Sequence, residues 1–520
     1  MKLVNGSQMR GMDNEVIEKY GLPGIVLMEN AAAQVAAEID RRYGPLIGKR
    51  ISVVCGKGNN GGDGIAAARH LVVKYFADVI IWLAEPMDKA SPDTGINLMV
   101  ARNYGITVES IADIDWLIAH LKASHVIVDA ILGTGVEGNP RPAAAAAIKA
   151  VNEGGRPVVS IDMPSGLGDT GAAGSPTVKA STTITLALPK MGLFLYPGID
   201  LAGDLIVADI SFPPAVTKAE HITTFAIEAS DIARWLPKRS AGRDSNKGKF
   251  GSVAIIAGSP GFGGAAVLAS LGAARTGAGL VTLGVPESIF MAMMTRAPEP
   301  IMTHQLPSSP DGSFDVKGID DALSFVDKRD SVAFGPGIGT GDAVRDFAKR
   351  LIAECKKPMI IDADALTLLS KEPDHGASIV SSRSAPTVLT PHPGEMGRLL
   401  GLSTAEVQDD RLAAVREAAS RFNAIVVLKG QASLVASPDG RLAVNTTGNP
   451  GMAGGGSGDV LTGVAGALLG QIDDPFQATA AAVFLHGKAG DLGTESIGMA
   501  GLISSDIPGK VPAAIASIYV

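Results

Sequence analysis

The sequence predicts an α/β protein of two domains. Three observations lead there. Short β-branched runs bounded by glycine, proline or charge alternate with alanine-rich stretches. The alternation breaks once, around residues 211–243, and then restarts. At 520 residues the chain is also too long for one ordinary domain, since roughly 150 residues per domain suggests two to four.

In the first part, the runs 51–55, 79–83, 125–129, 158–162 and 183–188 read as buried strands, being short, apolar and β-branched. Between them, 64–75 and 143–152 suit helices. Strand and helix in alternation imply a parallel sheet covered on both faces. Phe212-Pro213-Pro214 and the run Trp235-Leu236-Pro237-Lys238-Arg239 interrupt the rhythm. The expected division is therefore a first domain at 1–215, a linker and domain entry at 216–245, and a second domain at 246–520. After Gly248 the expected strands are 252–257, 279–285, 331–334, 359–362, 387–390 and 425–428. No fixed-period repeat relates the halves.

Composition narrows the function. A 46% hydrophobic fraction with 19% charged residues is that of a globular protein with large cores. A net charge of -8 without a basic run argues against nucleic acid or an anionic membrane as partner. Cys55 and Cys355, far apart, suggest neither a disulfide framework nor a thiolate metal site, which fits a reducing cytoplasm. Residues 1–14 mix Lys2, Arg10 and Asp13 without an apolar segment, so no signal peptide is read, and no apolar run is long enough for a transmembrane helix. A soluble cytoplasmic homo-oligomer is expected.

The most chemically informative run is GGGSGDVLTG at 454–463, which sets a carboxylate directly after bare backbone at a helix start. Exposed N–H groups and the helix dipole favour a phosphate or developing oxyanion there, and Asp459 can take a proton from an attacking hydroxyl. The plainer alternative is a glycine-rich turn with Asp459 as a cap. Three further clusters each follow an expected strand: Gly258-Ser259 with Gly261 to Gly264, Thr390 to Glu395, and Lys429-Gly430-Gln431-Ala432-Ser433. Open α/β sheets build sites at that edge. His392 could instead fix a turn, Lys429 could be a solvated strand end, and Asp362 and Asp364 could be a strand end and a helix cap. No G-x-x-x-x-G-K-[ST] run occurs, which argues against a P-loop kinase.

This combination resembles the ribokinase-like superfamily. More narrowly, GSVAIIAGSPGFGGAAVLASLGAARTGAG at 251–279, TPHPGE at 390–395 and NPGMAGGGSGDVLTG at 449–463 are similar to the ADP- or ATP-dependent NAD(P)H-hydrate dehydratases, from about Gly248 onward. The resemblance implies a ribokinase-like α/β domain in which Asp459 is the catalytic base and Gly456 to Gly458 stabilise the transferring phosphoryl group. It also implies that Lys429, Gly430, Gln431, Ala432, Ser433 and Gly458 hold ADP or ATP with magnesium. Ala265, Gly337, His392 and Asp459 would line the hydrate pocket.

In the first half, CGKGNNGGDG at 55–64 follows a strand and opens a helix at 65–75. Gly56 to Gly61 loosely satisfies G-x-G-x-x-G, and Glu85 ends the next strand where a ribose-binding acid sits, so a dehydrogenase cofactor domain remains open. VDAILGTG at 128–135 and SIDMPSG at 160–166 add carboxylates followed by tight backbone. With MENA at 28–31, these motifs resemble the NAD(P)H-hydrate epimerase family over about residues 10–212. That resemblance implies a Rossmann-like three-layer α/β/α domain with Asp162 as catalytic residue. Asn59, Asn60, Gly61, Gly62 and Asp63, with Gly133, Thr134, Gly135, Val136, Glu137, Gly138 and Asn139, would embrace the dinucleotide. Asn60, Asp129 and Ser165 would offer oxygen ligands to potassium.

The expected protein is thus a bifunctional repair enzyme that epimerises hydrated NADH and NADPH and dehydrates the S form at the expense of ADP or ATP. Two rivals stand beside it. A hydroxymethylpyrimidine-type kinase explains Asp459 but leaves the N-terminal motifs unexplained, and a non-catalytic nucleotide sensor has no need of Asp162 and Asp459.

Overall fold

The computed structural model describes residues 1–135, 138–238, 247–298 and 300–519. Val136 and Glu137, expected in a dinucleotide loop, and part 239–245 of the expected linker lie outside the described residues. The chain forms two compact units, Lys2–Thr224 and Phe225–Val520 together with Met1.

The first unit is built on β1 (Arg50–Cys55), β2 (Asp78–Leu83), β3 (Thr107–Ser110), β4 (Val126–Ala130), β5 (Val158–Ile161), β6 (Thr182–Leu186) and β7 (Asp204–Ala208). Their order is β3-β2-β1-β4-β5-β6-β7, and every pairing is parallel. Val53 packs with Val35, Ile39, Ala67 and Leu71 of the helices Gly24–Tyr43 and Asn59–Tyr75. Its neighbour Val54 packs with Leu117, Leu121, Ile148 and Val151 of the helices Ile114–Ala123 and Pro142–Glu153. Successive strand residues face opposite helical layers, which is why both faces had to be apolar.

Two boundaries differ from expectation in ways that matter for chemistry. The strand expected at 158–162 stops at Ile161, because Asp162 adopts a φ of 68° and turns out of the sheet. The helix expected from residue 64 or 65 begins at Asn59, so the Asn-Asn-Gly-Gly-Asp run forms its first turns rather than a loop before it. The additional strands β3 and β7 are the two sheet edges, and their partly exposed residues lack the two-sided apolar signature of a buried strand.

The second unit carries β8 (Thr224–Ala226, whose first residue closes the first unit), β9 (Ser252–Ile256), β10 (Leu280–Pro286), β11 (Ile301–Leu306), β12 (Ser331–Phe334), β13 (Met359–Ile361), β14 (Thr387–Leu389), β15 (Ile425–Leu428), β16 (Leu434–Ala436) and β17 (Leu442–Val444). The order is β11-β10-β9-β12-β13-β14-β15-β16-β17-β8. It is parallel from β11 to β15, then antiparallel through β16 and β17. The segment 211–243, expected only as a break, supplies β8 and the helix Ala229–Trp235. Against the sheet, the helices Gly263–Arg275 and Ser457–Leu469 approach closely because Gly463 has no side chain. A Cβ there would stand 1.8 Å from the Ala269 carbonyl oxygen. No helix of the described residues is long and apolar enough to cross a membrane.

Candidate active sites

In the first unit the loops after β1, β4, β5 and β6 converge on a cleft of about 830 Å³. Asp129, at the end of β4, is fully buried and is held by the Ser160 hydroxyl at 2.8 Å, the Ser165 N–H at 2.9 Å and the Ser165 hydroxyl at 2.5 Å. Burial raises its carboxyl above the usual range, and the Ser165 and Ser160 hydrogen bonds oppose that rise. Asn60 donates from Nδ2 to the Leu132 carbonyl at 2.8 Å, and the Leu132 N–H donates to Ser165 Oγ at 2.8 Å. Asn60, Asp129 and Ser165 are therefore joined through Leu132. Asn60 Oδ1 is left buried without a hydrogen-bond partner.

The second feature of this cleft is an ion pair. Asp162, turned out of β5, meets the ammonium of the fully buried Lys190 and accepts from the Leu186 N–H at 3.2 Å. The ammonium also donates to the Leu186 carbonyl at 3.0 Å. Asp63 and Asp13 complete the cluster. Burial, then the charges of Asp162 and Asp13, push the Asp63 carboxyl well above its ordinary range. Burial pushes Asp13 up to about 6 against the pull of Lys190. A cluster in which a buried ammonium faces Asp162 and burial raises Asp63 and brings Asp13 to about 6 can give and take a proton near neutrality.

Asn59, Asn60, Asp63, Gly133, Thr134, Gly135, Asn139 and Asp162 all line the cleft. Gly61 and Gly62 do not. A Cβ on Gly61 would lie 1.9 Å from the Gly56 carbonyl oxygen, and one on Gly62 would lie 2.5 Å from Thr94 Oγ1, so both face protein. Gly138 is likewise outside the lining, with a left-handed φ of 73°. Lys190 and Asp13 are site residues that motif reading missed. The available signal was a lone charge, Lys190, inside the otherwise apolar LALPKMGLFLYPG at 186–198.

In the second unit, Asp459 lies in the first turn of the helix Ser457–Leu469, directly after Gly456 with φ 91°. Lys429, just past β15, brings its ammonium 2.9 Å from Asp362 Oδ1 and 3.7 Å from Glu395 Oε2. A Cβ on Gly458 would stand 3.3 Å from that ammonium, so this glycine lets the loop approach the charge. Thr462 donates to the other Asp362 oxygen at 2.6 Å. Burial alone would raise Asp362, but Lys429 and the Thr462 hydroxyl hold it below the ordinary carboxylate value. Burial and the Asp362 charge push Asp459 up to about 7 while Lys429 pulls the other way. Asp362 is thus the hub that organises Lys429 and tunes Asp459, well beyond a strand end.

The remaining candidates surround this core. His392 caps the helix Pro393–Leu400 through Nδ1, accepting from Gly394 and Glu395, and its own N–H donates to Glu395 at 2.7 Å. Burial, then Lys429, lower its imidazole below the usual value, which favours the neutral ring. Gly337, with φ 64°, has no room for a side chain beside Ala265, where its Cβ would stand 3.1 Å from that of Ala265. Ser259 donates to the Gly337 carbonyl at 2.8 Å, tying the loop after β9 to the one after β12. Gly430 and Ala432 adopt φ values of 140° and 49°, and Ser433 donates to the Gly430 carbonyl at 3.0 Å, so 429–433 is a tight loop. Gln431 lies within that loop. Arg411, not singled out by its motif, supports it by donating to the Leu428 and Lys429 carbonyls at 3.2 and 3.4 Å.

Two family models match in series: "YjeF-related protein N-terminus" over residues 24–192 and "NAD(P)H-hydrate dehydratase" over 253–512. A relative from Moorella thermoacetica, described as a bifunctional NAD(P)H-hydrate repair enzyme, is 39% identical over 98% of this chain and 96% of its own. One of the same description from Thermofilum pendens is 38% identical over 100% and 97%. A solved structure of the ADP/ATP-dependent NAD(P)H-hydrate dehydratase of Bacillus subtilis, co-crystallised with ATP and Mg²⁺, shows 29% identity over 56% of this chain and 97% of its own, with a TM-score of 0.48. On the full-length relatives and the two family models, the chain belongs to the family of bifunctional NAD(P)H-hydrate repair enzymes.

Proposed function

We propose that the first unit interconverts the two epimers of hydrated NADH and NADPH, and that the second dehydrates the S epimer using ADP or ATP with magnesium. The observation that carries the second activity is Asp459, a carboxyl with a pKa of about 7 set beside Lys429 at a glycine-capped helix start. Asp459 removes the proton of the ring hydroxyl as its oxygen attacks the terminal phosphorus, and AMP or ADP departs. Backbone N–H groups of Gly456 to Gly458 and the Lys429 ammonium stabilise the charge in transfer. Phosphate, a far better leaving group than hydroxide, then leaves with a proton from the adjacent ring carbon to restore the dihydronicotinamide. Magnesium supplies charge neutralisation on the nucleotide phosphates. The loop 429–433 holds the nucleotide, and Ala265, Gly337 and His392 border the hydrate.

In the epimerase, the Asp162–Lys190 pair is placed to shuttle the proton that accompanies loss and return of the ring hydroxyl. Potassium fits the same cleft, because Asn60, whose buried Oδ1 has no hydrogen-bond partner, is joined through Leu132 to the Ser165 hydroxyl and so to Asp129. Such a cation would hold the loops after β1, β4 and β5 in register. A cytoplasmic homo-oligomer is part of the same proposal.

The test uses mixed-epimer NADH hydrate with the full chain, Mg²⁺, and ADP or ATP, following NADH absorbance and nucleotide products. Complete recovery, with one nucleotide consumed per NADH, is expected. No recovery with either nucleotide, or a stable phosphorylated product, would overturn the assignment. Replacing potassium by choline is expected to weaken epimerisation selectively; an unchanged rate would remove the cation.

A further inference from the structure

Lys57 and Glu85 occupy equivalent places at adjoining strand ends. Cys55 of β1 pairs with Leu83 of β2, and each charged residue lies two positions beyond its paired residue. The Ala84 N–H donates to the Cys55 carbonyl at 2.9 Å, which keeps the two strand exits side by side. The ammonium and carboxylate face each other at 3.4 Å, and both side chains line the cleft that holds Asp162 and Lys190. Neither takes part in the chemistry at Asp162 described above.

The sheet order says what this end of the cleft meets. From β2 to β5 the order is β2-β1-β4-β5, three interstrand steps or about 14 Å. Asp162 leaves β5 at the far end. Between them, the helix Asn59–Tyr75 presents an N-terminus without a side-chain cap, the natural seat of a diphosphate. A dinucleotide with its nicotinamide half at Asp162 and its diphosphate over β1 brings its adenosine ribose to the end of β2. Other cations of the cleft sit elsewhere: a Cβ on Gly135 would stand 2.7 Å from Arg10 Nη1, and Arg141 precedes the helix Pro142–Glu153 after β4.

We propose that the Lys57–Glu85 pair determines how the epimerase site treats the adenosine ribose of its two substrates. This rests on the epimerase reading of the cleft. With NADH hydrate, Glu85 accepts from the ribose 2′-hydroxyl while Lys57 balances its charge. With NADPH hydrate, the 2′-phosphate takes the Lys57 ammonium in place of Glu85, whose like charge opposes it. An acid alone favours the hydroxyl and a base alone favours the phosphate. The pair lets one site serve both.

The test compares Lys57→Met and Glu85→Gln with the unaltered full chain, measuring epimerase kcat/KM for the R epimers of NADH hydrate and NADPH hydrate. The chain's own dehydratase, with ADP or ATP in excess, reports the product. The reading is the NADPH-to-NADH preference, in which general losses of folding cancel. Losing one charge-assisted contact is expected to move that preference roughly tenfold, downward for Lys57→Met and upward for Glu85→Gln. A preference unchanged within about twofold in both variants, or one moved in the opposite direction, would overturn the assignment. If the unaltered chain epimerises neither hydrate, the epimerase reading itself fails, so the two failures are distinguishable.

Discussion

At the scale of the residue, the proposed dehydratase mechanism turns on how Asp459 acquires a pKa near neutrality. Burial and the Asp362 charge raise Asp459 to about 7, and Lys429 limits the rise. A base must be ionised to act, so dehydratase kcat/KM should fall about tenfold per pH unit below about 7 and level off above it. Lys429→Met removes the opposing cation and should carry that limb to higher pH. A limb that stays in place or moves down would mean that Asp459 does not titrate under Lys429's influence. Asp459→Asn keeps the shape but removes the proposed base, and should lower dehydratase kcat by at least about 10² while epimerisation persists. These roles were only partly legible in the sequence. Asp459 announced itself because glycines flank it in one contiguous run. Asp362 and Lys190 did not, because their partners Lys429 and Asp162 lie 67 and 28 residues away, a distance that only the fold closes.

At the scale of the element, the helix that carries Asp459 is positioned by what it lacks. Gly463 lies four residues after Asp459 on the helix Ser457–Leu469, and its missing side chain lets that helix settle against the Ala269 backbone. Alanine in a helix interior normally stabilises by about 0.5–1 kcal/mol over glycine. Here the added methyl would stand 1.8 Å from a carbonyl oxygen, which cannot rotate away as a side chain would. Overpacking costs of about 1–3 kcal/mol therefore outweigh the propensity gain. Gly463→Ala should lower the urea midpoint of the second unit and reduce dehydratase activity by displacing Asp459, with epimerase kcat/KM retained. A raised midpoint would show that the two helices have slack. The central strands were legible from their buried β-branched runs. The edge strand β3 was not, since Thr107, Glu109 and Ser110 are exposed and carry no apolar pattern.

At the scale of the whole molecule, each proposed site is built from residues of one compact unit, and the intermediate that links them is the S epimer itself. A dehydratase specific for one epimer leaves the other half of its substrate stranded, so the value of the first unit is to refill that pool. Asp162→Asn should therefore return NADH quickly only to the extent of the S epimer present, followed by a slow phase set by uncatalysed epimerisation. Asp459→Asn should return almost none, although its epimerase works. If the intermediate passes through solution, mixing the two variants in equal amounts should restore full and fast recovery, because the S epimer made by one chain reaches the intact dehydratase of the other. Stopped-flow absorbance of the mixture, at increasing total enzyme, measures this directly. Recovery that stays biphasic at every concentration would show that the epimer does not leave the chain that made it, and the two activities would then have to be treated as one coupled catalyst.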